Sequence, residues 1–118
     1  MTGFIFVGFG GALGAMLRYA ISLVPYKHTF PIPTLIINII GALLIGYITG
    51  LAVKKNLSSN IILFLKTGLC GGFTTFSTFS LEAYNLFQSG NYAFAVLYII
   101  FSVIGCIIGV WCGMLLAG

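Results

Sequence analysis

Residues 71–82 read GGFTTFSTFSLE, from Gly71 to Glu82, between the apolar runs Ile61 to Leu69 and Leu81 to Phe87. Two adjacent glycines and a cluster of hydroxyl side chains therefore fall near the middle of a stretch long enough to cross a bilayer. Backbone that leaves the helix at that depth is tolerated only where protein or a water-lined cavity satisfies its polar groups. A discontinuous helix there also presents carbonyls and helix ends to ions. The pattern predicts a break at 71–75 inside a membrane span, with the rest of the chain as its scaffold.

The surrounding composition supports that setting. Of 118 residues, 60% are hydrophobic and the mean hydropathy is +1.18, so little remains to cover a water-soluble surface. Five basic residues against one acid give a net charge of +4. They are dispersed, with no basic helix or ribbon to follow a phosphate backbone, which argues against nucleic acid as a partner. Cys70, Cys106 and Cys112 lie in apolar sequence, and an odd number without an extracellular framework reads as small buried residues rather than disulfide or metal chemistry. The first segment lacks a charged leader and a small-residue cleavage site, and is expected to be a retained helix.

Four segments have the length and apolarity of spans, at about 2–24, 33–53, 58–87 and 92–116, predicting one all-α transmembrane domain over 1–118. Small residues recur at four-residue spacing in the first (Gly10, Gly14; Gly11, Ala15), second (Ala42, Gly46, Gly50) and fourth (Gly105, Gly109, Gly113), forming flat strips for close helix contact. Arg18 has two readings, an interfacial anchor that snorkels to headgroups or a structural contact that shapes a pore vestibule. Pro31 and Pro33 suit the entrance of the second helix. His28 is a lone loop histidine, Lys66 is near enough to its loop to reach water, and Trp111 suits the interfacial belt. Thr34 and Asn38 lie one turn apart on the second span, Tyr98 and Ser102 one turn apart on the fourth. An asparagine in PTLIINIIGALLIG needs partners for its amide, and is either interhelical glue or a pore-lining donor.

After the break, Phe76 and Phe79 share one face of the helix, Thr75 and Thr78 a second, Ser77 and Ser80 a third. Aromatic rings turn positive edges toward an anion. With hydroxyl and amide donors they replace part of a hydration shell. The inventory of Thr34, Asn38, Ser77, Thr78, Tyr98 and Ser102 serves either ion sign, but Glu82 is the sole acid and no carboxylate pair exists to cage a conducting metal ion. No nucleophile stands beside a plausible base and no phosphate loop joins strand to helix, so an enzyme is not expected. Several small-residue faces exceed what four helices need from one another, making a homodimer the economical assembly. The basic residues split almost evenly between the two sides. Either a slim N-in preference or insertion both ways follows, and the second permits an antiparallel dimer.

GGALGAMLRY at 10–19, NIIGALLIG at 38–46 and above all GGFTTFSTFSLE at 71–82 resemble the signatures of the small fluoride channel family, often called Fluc or CrcB. The resemblance covers essentially the whole chain. It implies an antiparallel, dual-topology homodimer in the cytoplasmic (inner) membrane, with two passive fluoride pathways that lower the cellular fluoride concentration, and a structural sodium ion at its centre. By the same resemblance Phe76, Phe79, Asn38, Thr34, Tyr98 and Ser102 face the anion path, with a polar track at Ser77, Thr78 and Glu82. Backbone carbonyls of Gly71 and Thr74 hold the sodium, and Arg18 matches the first-span arginine. Cys106 stands where some relatives carry a further serine. Two other readings remain, a small multidrug-type proton-coupled transporter using Glu82 and a purely structural membrane subunit. Membrane lipid is a partner in every case.

Overall fold

The computed structural model describes all residues, 1–118. Helix α1 covers Thr2–Ser22 and α2 Ile32–Lys55. A third span, Ser59–Gln88, is composite: α3 at Ser59–Ile62, a π-helical stretch at Leu63–Cys70, α4 at Gly71–Phe73 and α5 at Phe76–Gln88. Helix α6 closes the chain at Tyr92–Ala117. All four spans are long and apolar enough to cross a membrane, and the long axis of 48 Å matches a bilayer with its headgroups, roughly 40–45 Å.

Local sequence accounts for most boundaries. Pro31 and Pro33 flank the first residue of α2, where a missing N–H costs nothing. The helix ends on Lys54 and Lys55, which complement the negative end of its dipole, and Asn56 follows in the left-handed conformation (φ 53°). The Ser58 hydroxyl accepts from the Ile61 N–H at 3.3 Å and starts α3. Gly90, at φ 82°, makes the turn between α5 and α6, a conformation that would strain any residue with a Cβ.

Packing divides the bundle into two pairs joined through the broken span. In the first, α1 lies on the leading half of span three, with Gly10 against the backbone of Phe64 and Gly68, and Gly14 against that of Leu69 and Gly72. In the second, α2 lies along α6, where Gly46 meets the Val110 backbone, Gly109 the Ala42 methyl and Gly113 the Leu43 carbonyl. The predicted strips are thus used up inside one chain, and the surplus of small-residue faces that argued for a homodimer does not exist. What is left over is different: Phe76 is 77% exposed and large side chains of α1 and α6 face outward, toward lipid or another chain.

The glycines also behave differently from the expected break at 71–75. Gly71 and Gly72 are helical, and a Cβ on Gly72 would lie 2.5 Å from the Gly11 carbonyl oxygen. The role of Gly72 is close approach, whereas a Cβ on Gly71 would meet nothing nearer than the Lys66 carbonyl oxygen at 3.9 Å. The backbone leaves the helix only at Thr74 (φ −81°, ψ 160°) and Thr75 (φ −149°, ψ 118°), where two β-branched residues favour extended conformation.

These crossings give a stability prediction. Gly14→Val adds atoms against main chain that cannot swing aside, so a loss of at least about 1–3 kcal/mol is expected. Gly8→Ala, with nothing within 4 Å of its added carbon, should be neutral. Thermal unfolding in detergent distinguishes the two, and equal melting points would refute the crossing.

Candidate functional site: the interrupted third span

Asn38 organises the break. Its Oδ1 accepts the Thr75 N–H at 2.8 Å and its Nδ2 donates to the Thr75 carbonyl at 3.0 Å, so one side-chain amide pairs with one extended residue as a neighbouring strand would. The glue role is therefore filled, and the second Nδ2 hydrogen is left to serve the adjacent cavity. The Thr75 hydroxyl accepts the Thr78 N–H at 3.1 Å and caps α5.

Those two bonds have a consequence for the preceding carbonyls. In an uninterrupted α-helix the N–H of Thr75 serves the carbonyl of Gly71, and that of Thr78 serves Thr74. Both donors are diverted here, so the carbonyls of Gly71 and Thr74 lose their helical partners. Gly72 loses its own to the interruption as well, but receives the Arg18 guanidinium, whose Nε donates to its carbonyl at 3.2 Å. Arg18 thus makes the structural contact rather than anchoring to headgroups alone.

Beside the break lies a cavity of about 360 Å³, lined among others by Asn38, Gly71, Thr74, Phe76, Phe79 and Ser102. It contains no charged side chain. Ser102 is 6% exposed and its Oγ has no hydrogen-bond partner. Buried hydroxyls almost always have one, and Ser102 is among the residues that line this cavity. The rings of Phe76 and Phe79 stand 5.5 Å apart at 49°, and Phe79 stands 5.1 Å from Tyr98. The positive end of α5 begins at the same wall.

The remaining predicted residues lie outside this cavity. Tyr98 is fully buried in a cluster with Phe79, Ala83, Leu86 and Ala95, and its hydroxyl donates to Glu82 Oε1 at 3.0 Å. Glu82 also lines a second depression, of about 380 Å³, with His28, Asn85 and Ser89. Tyr98 lines neither space: it packs against Phe79, which lines the central cavity, and donates to Glu82, which lines the second depression. Thr34 is buried on α2, 6% exposed, and lines neither space. Ser77 is exposed, with its Oγ 3.4 Å from Thr75 Oγ1, and Thr78 is half-buried; neither lines the cavity. Sequence reasoning missed Thr75 as the residue that is held, Gly41, which gives room to the Thr74 methyl, and Cys70 as a cavity wall, while Cys106, placed by resemblance at the serine position after Ser102, does line the cavity. The fourth-span spacing Tyr98, Ser102, Cys106 carried the last signal, three residues each one turn apart.

This arrangement can be set beside known proteins. The family model described as CrcB-like protein, Camphor Resistance (CrcB), matches residues 5–114. A fluoride-specific ion channel FluC of Ruminiclostridium cellulolyticum is 50% identical, over 99% of this chain and 93% of the relative. That of Azobacteroides pseudotrichonymphae is 46% identical over 85% of this chain and 84% of the relative, and that of Campylobacter fetus 45% over 93% and 92%. With a match along nearly its full length and an interrupted third span beside a donor-lined cavity, this chain belongs to the CrcB family.

Proposed function

We propose that this chain is a passive channel selective for fluoride, carrying the ion out across the cytoplasmic membrane and lowering its concentration in the cell. The observation that carries the reading is the uncharged cavity at the break, where the orphaned Ser102 hydroxyl, the free Asn38 amide hydrogen and the Phe76 and Phe79 rings face one space. Relatives that carry the name of fluoride-specific channels support it. Fluoride is small and strongly hydrated, so its dehydration is offset only by donors that approach closely; chloride cannot approach them equally well. Neutral donors bind without trapping, which a buried lysine would do. Beyond the cavity, Tyr98, Glu82, Ser77, Thr78 and Thr34 continue the polar track, with Glu82 held by Tyr98.

The working unit in this reading is an antiparallel homodimer of oppositely inserted chains. Support comes from the exposed Phe76 beside the cavity, and from a near-balanced charge split, with Lys54, Lys55 and Lys66 toward one side and Arg18 and Lys27 toward the other. Where two breaks meet, the Gly71 and Thr74 carbonyls of both chains would offer a neutral oxygen cage to one sodium ion. The diverted N–H groups of Thr75 and Thr78 leave those oxygens free for it. Bound there, sodium supplies a fixed positive charge at the centre of the assembly.

Purified protein in liposomes is expected to release fluoride electrogenically, driven by voltage and without a pH gradient; equally rapid chloride release, or none of either ion, would overturn the function. Orientation is read in intact cells with cysteine reporters placed one at a time at 54–60. Labelling from both sides is expected, and labelling confined to one side would reject the antiparallel pair.

A further inference from the structure

The central cavity carries a feature that anion conduction does not use: it is walled by two thiols from different spans. Cys70 ends the π-helical stretch and is 2% exposed; Cys106 follows Ser102 by one turn on α6 and is half-buried. Both line the same space, as do the unpartnered Ser102 hydroxyl and the Gly71 and Thr74 residues whose carbonyls have lost their helical donors. Neither cysteine is in a disulfide.

We propose that this cavity is a binding site for soft, thiophilic monovalent cations of the copper(I) and silver(I) class, held by Cys106 and Cys70. Thiol sulfur selects such d10 ions over sodium or magnesium, which prefer oxygen. The cavity also selects their charge. Cys106 loses one proton to solvent as its sulfur–metal bond forms, and Cys70 adds its neutral sulfur as second donor, so the complex carries no net charge. A neutral complex suits a space with no charged side chain. Ser102 supplies an oxygen that is otherwise without a partner. Oxidation state is unchanged throughout, and no further reactant is required. Since the same cavity is the anion passage under the function proposed above, occupancy blocks conduction; the blocking arm rests on that reading, the binding arm does not.

The test uses silver(I) alone, in chloride-free nitrate buffer, on purified protein carrying Cys112→Ser so that only the two cavity thiols remain. Metal retained after desalting is expected at one silver per chain, with both thiols then protected from alkylation. Cys106→Ser and Cys70→Ala should each weaken retention at least ~10-fold, the lower end of what even an outer partner costs a metal site. Retention unchanged in either single variant overturns the two-thiol site, as does failure of the parent to retain silver. In liposomes, silver should stop fluoride release by the parent and not by Cys106→Ser. Block that persists in Cys106→Ser refutes the placement in the passage. Should neither protein release fluoride at all, retention still decides the metal site while the channel reading alone fails. Matching melting points before silver is added show that both variants have folded.

Discussion

Asn38→Asp is expected to abolish fluoride conduction and to loosen the third span, whereas Asn38→Ser should leave a measurable fraction of the flux. The asparagine amide gives one donor and one acceptor to Thr75. An ionised carboxylate keeps the acceptor but sets a second oxygen against the Thr75 carbonyl, at the 3.0 Å now spanned by a hydrogen bond. Leaving that carbonyl unpaired costs about 1–3 kcal/mol. The larger effect falls on the ion. A unit charge about 4 Å from the path, at an effective dielectric near 20, repels an anion by about 4 kcal/mol, or nearly three orders of magnitude in occupancy. Serine loses both bonds to Thr75 but adds no charge, so it carries the structural cost without the electrostatic one. Flux per reconstituted protein, measured beside the melting point, separates the terms. Equal flux in the aspartate and serine variants would remove Asn38 from the conduction path and leave it as glue alone.

The two phenylalanines should respond differently from each other in stability and alike in conduction. Phe79 is 8% exposed and packed between Phe76 and Tyr98, so Phe79→Ile forfeits aromatic contacts worth about 0.5–1.5 kcal/mol each beyond buried area. Phe76 is 77% exposed, and Phe76→Ile should leave the fold of the single chain unchanged. Isoleucine keeps much of the apolar bulk at both positions but presents no positive ring edge to an anion. Both variants are therefore expected to lose at least tenfold in fluoride flux, about the effect of 1.4 kcal/mol on an equilibrium, with a lowered melting point only for Phe79→Ile. Ordinary core residues would instead lose flux in proportion to folding. A Phe76→Ile protein that assembles normally and conducts at the parental rate would show that its ring is packing surface and no part of the anion track.

Family membership alone does not say how the parts support one another, and the structure makes them interdependent. Arg18, Asn38 and the Thr75 hydroxyl each satisfy a different group at the break. Asn38 and the Thr75 hydroxyl free the carbonyls of Gly71 and Thr74, while Arg18 occupies that of Gly72. The interruption is thus held by side chains from α1 and α2 as well as by its own residues. Its stability depends on the glycine crossings that bring those helices close.

From composition and pattern one could read the membrane class, four spans and an interruption in the third, while the placing of Phe76, Phe79, Asn38 and Ser102 along an ion path came from the family resemblance. Class, spans and interruption are properties of composition and of helical period, which need no partner: twenty apolar residues span a bilayer wherever they stand, and residues one turn apart share a face. The tertiary structure decided where the helix gives way. Thr74 and Thr75, rather than the glycines beside them, are extended, because Gly72 is pressed onto Gly11 while Asn38 holds Thr75 from 37 positions away. It also decided that the small-residue strips pair within the chain, that Arg18 reaches the Gly72 carbonyl, and that Cys70 and Cys106 share one cavity with Ser102. Each of these is a contact between elements distant in sequence. A local pattern states which face a helix offers, and only packing determines what that face meets.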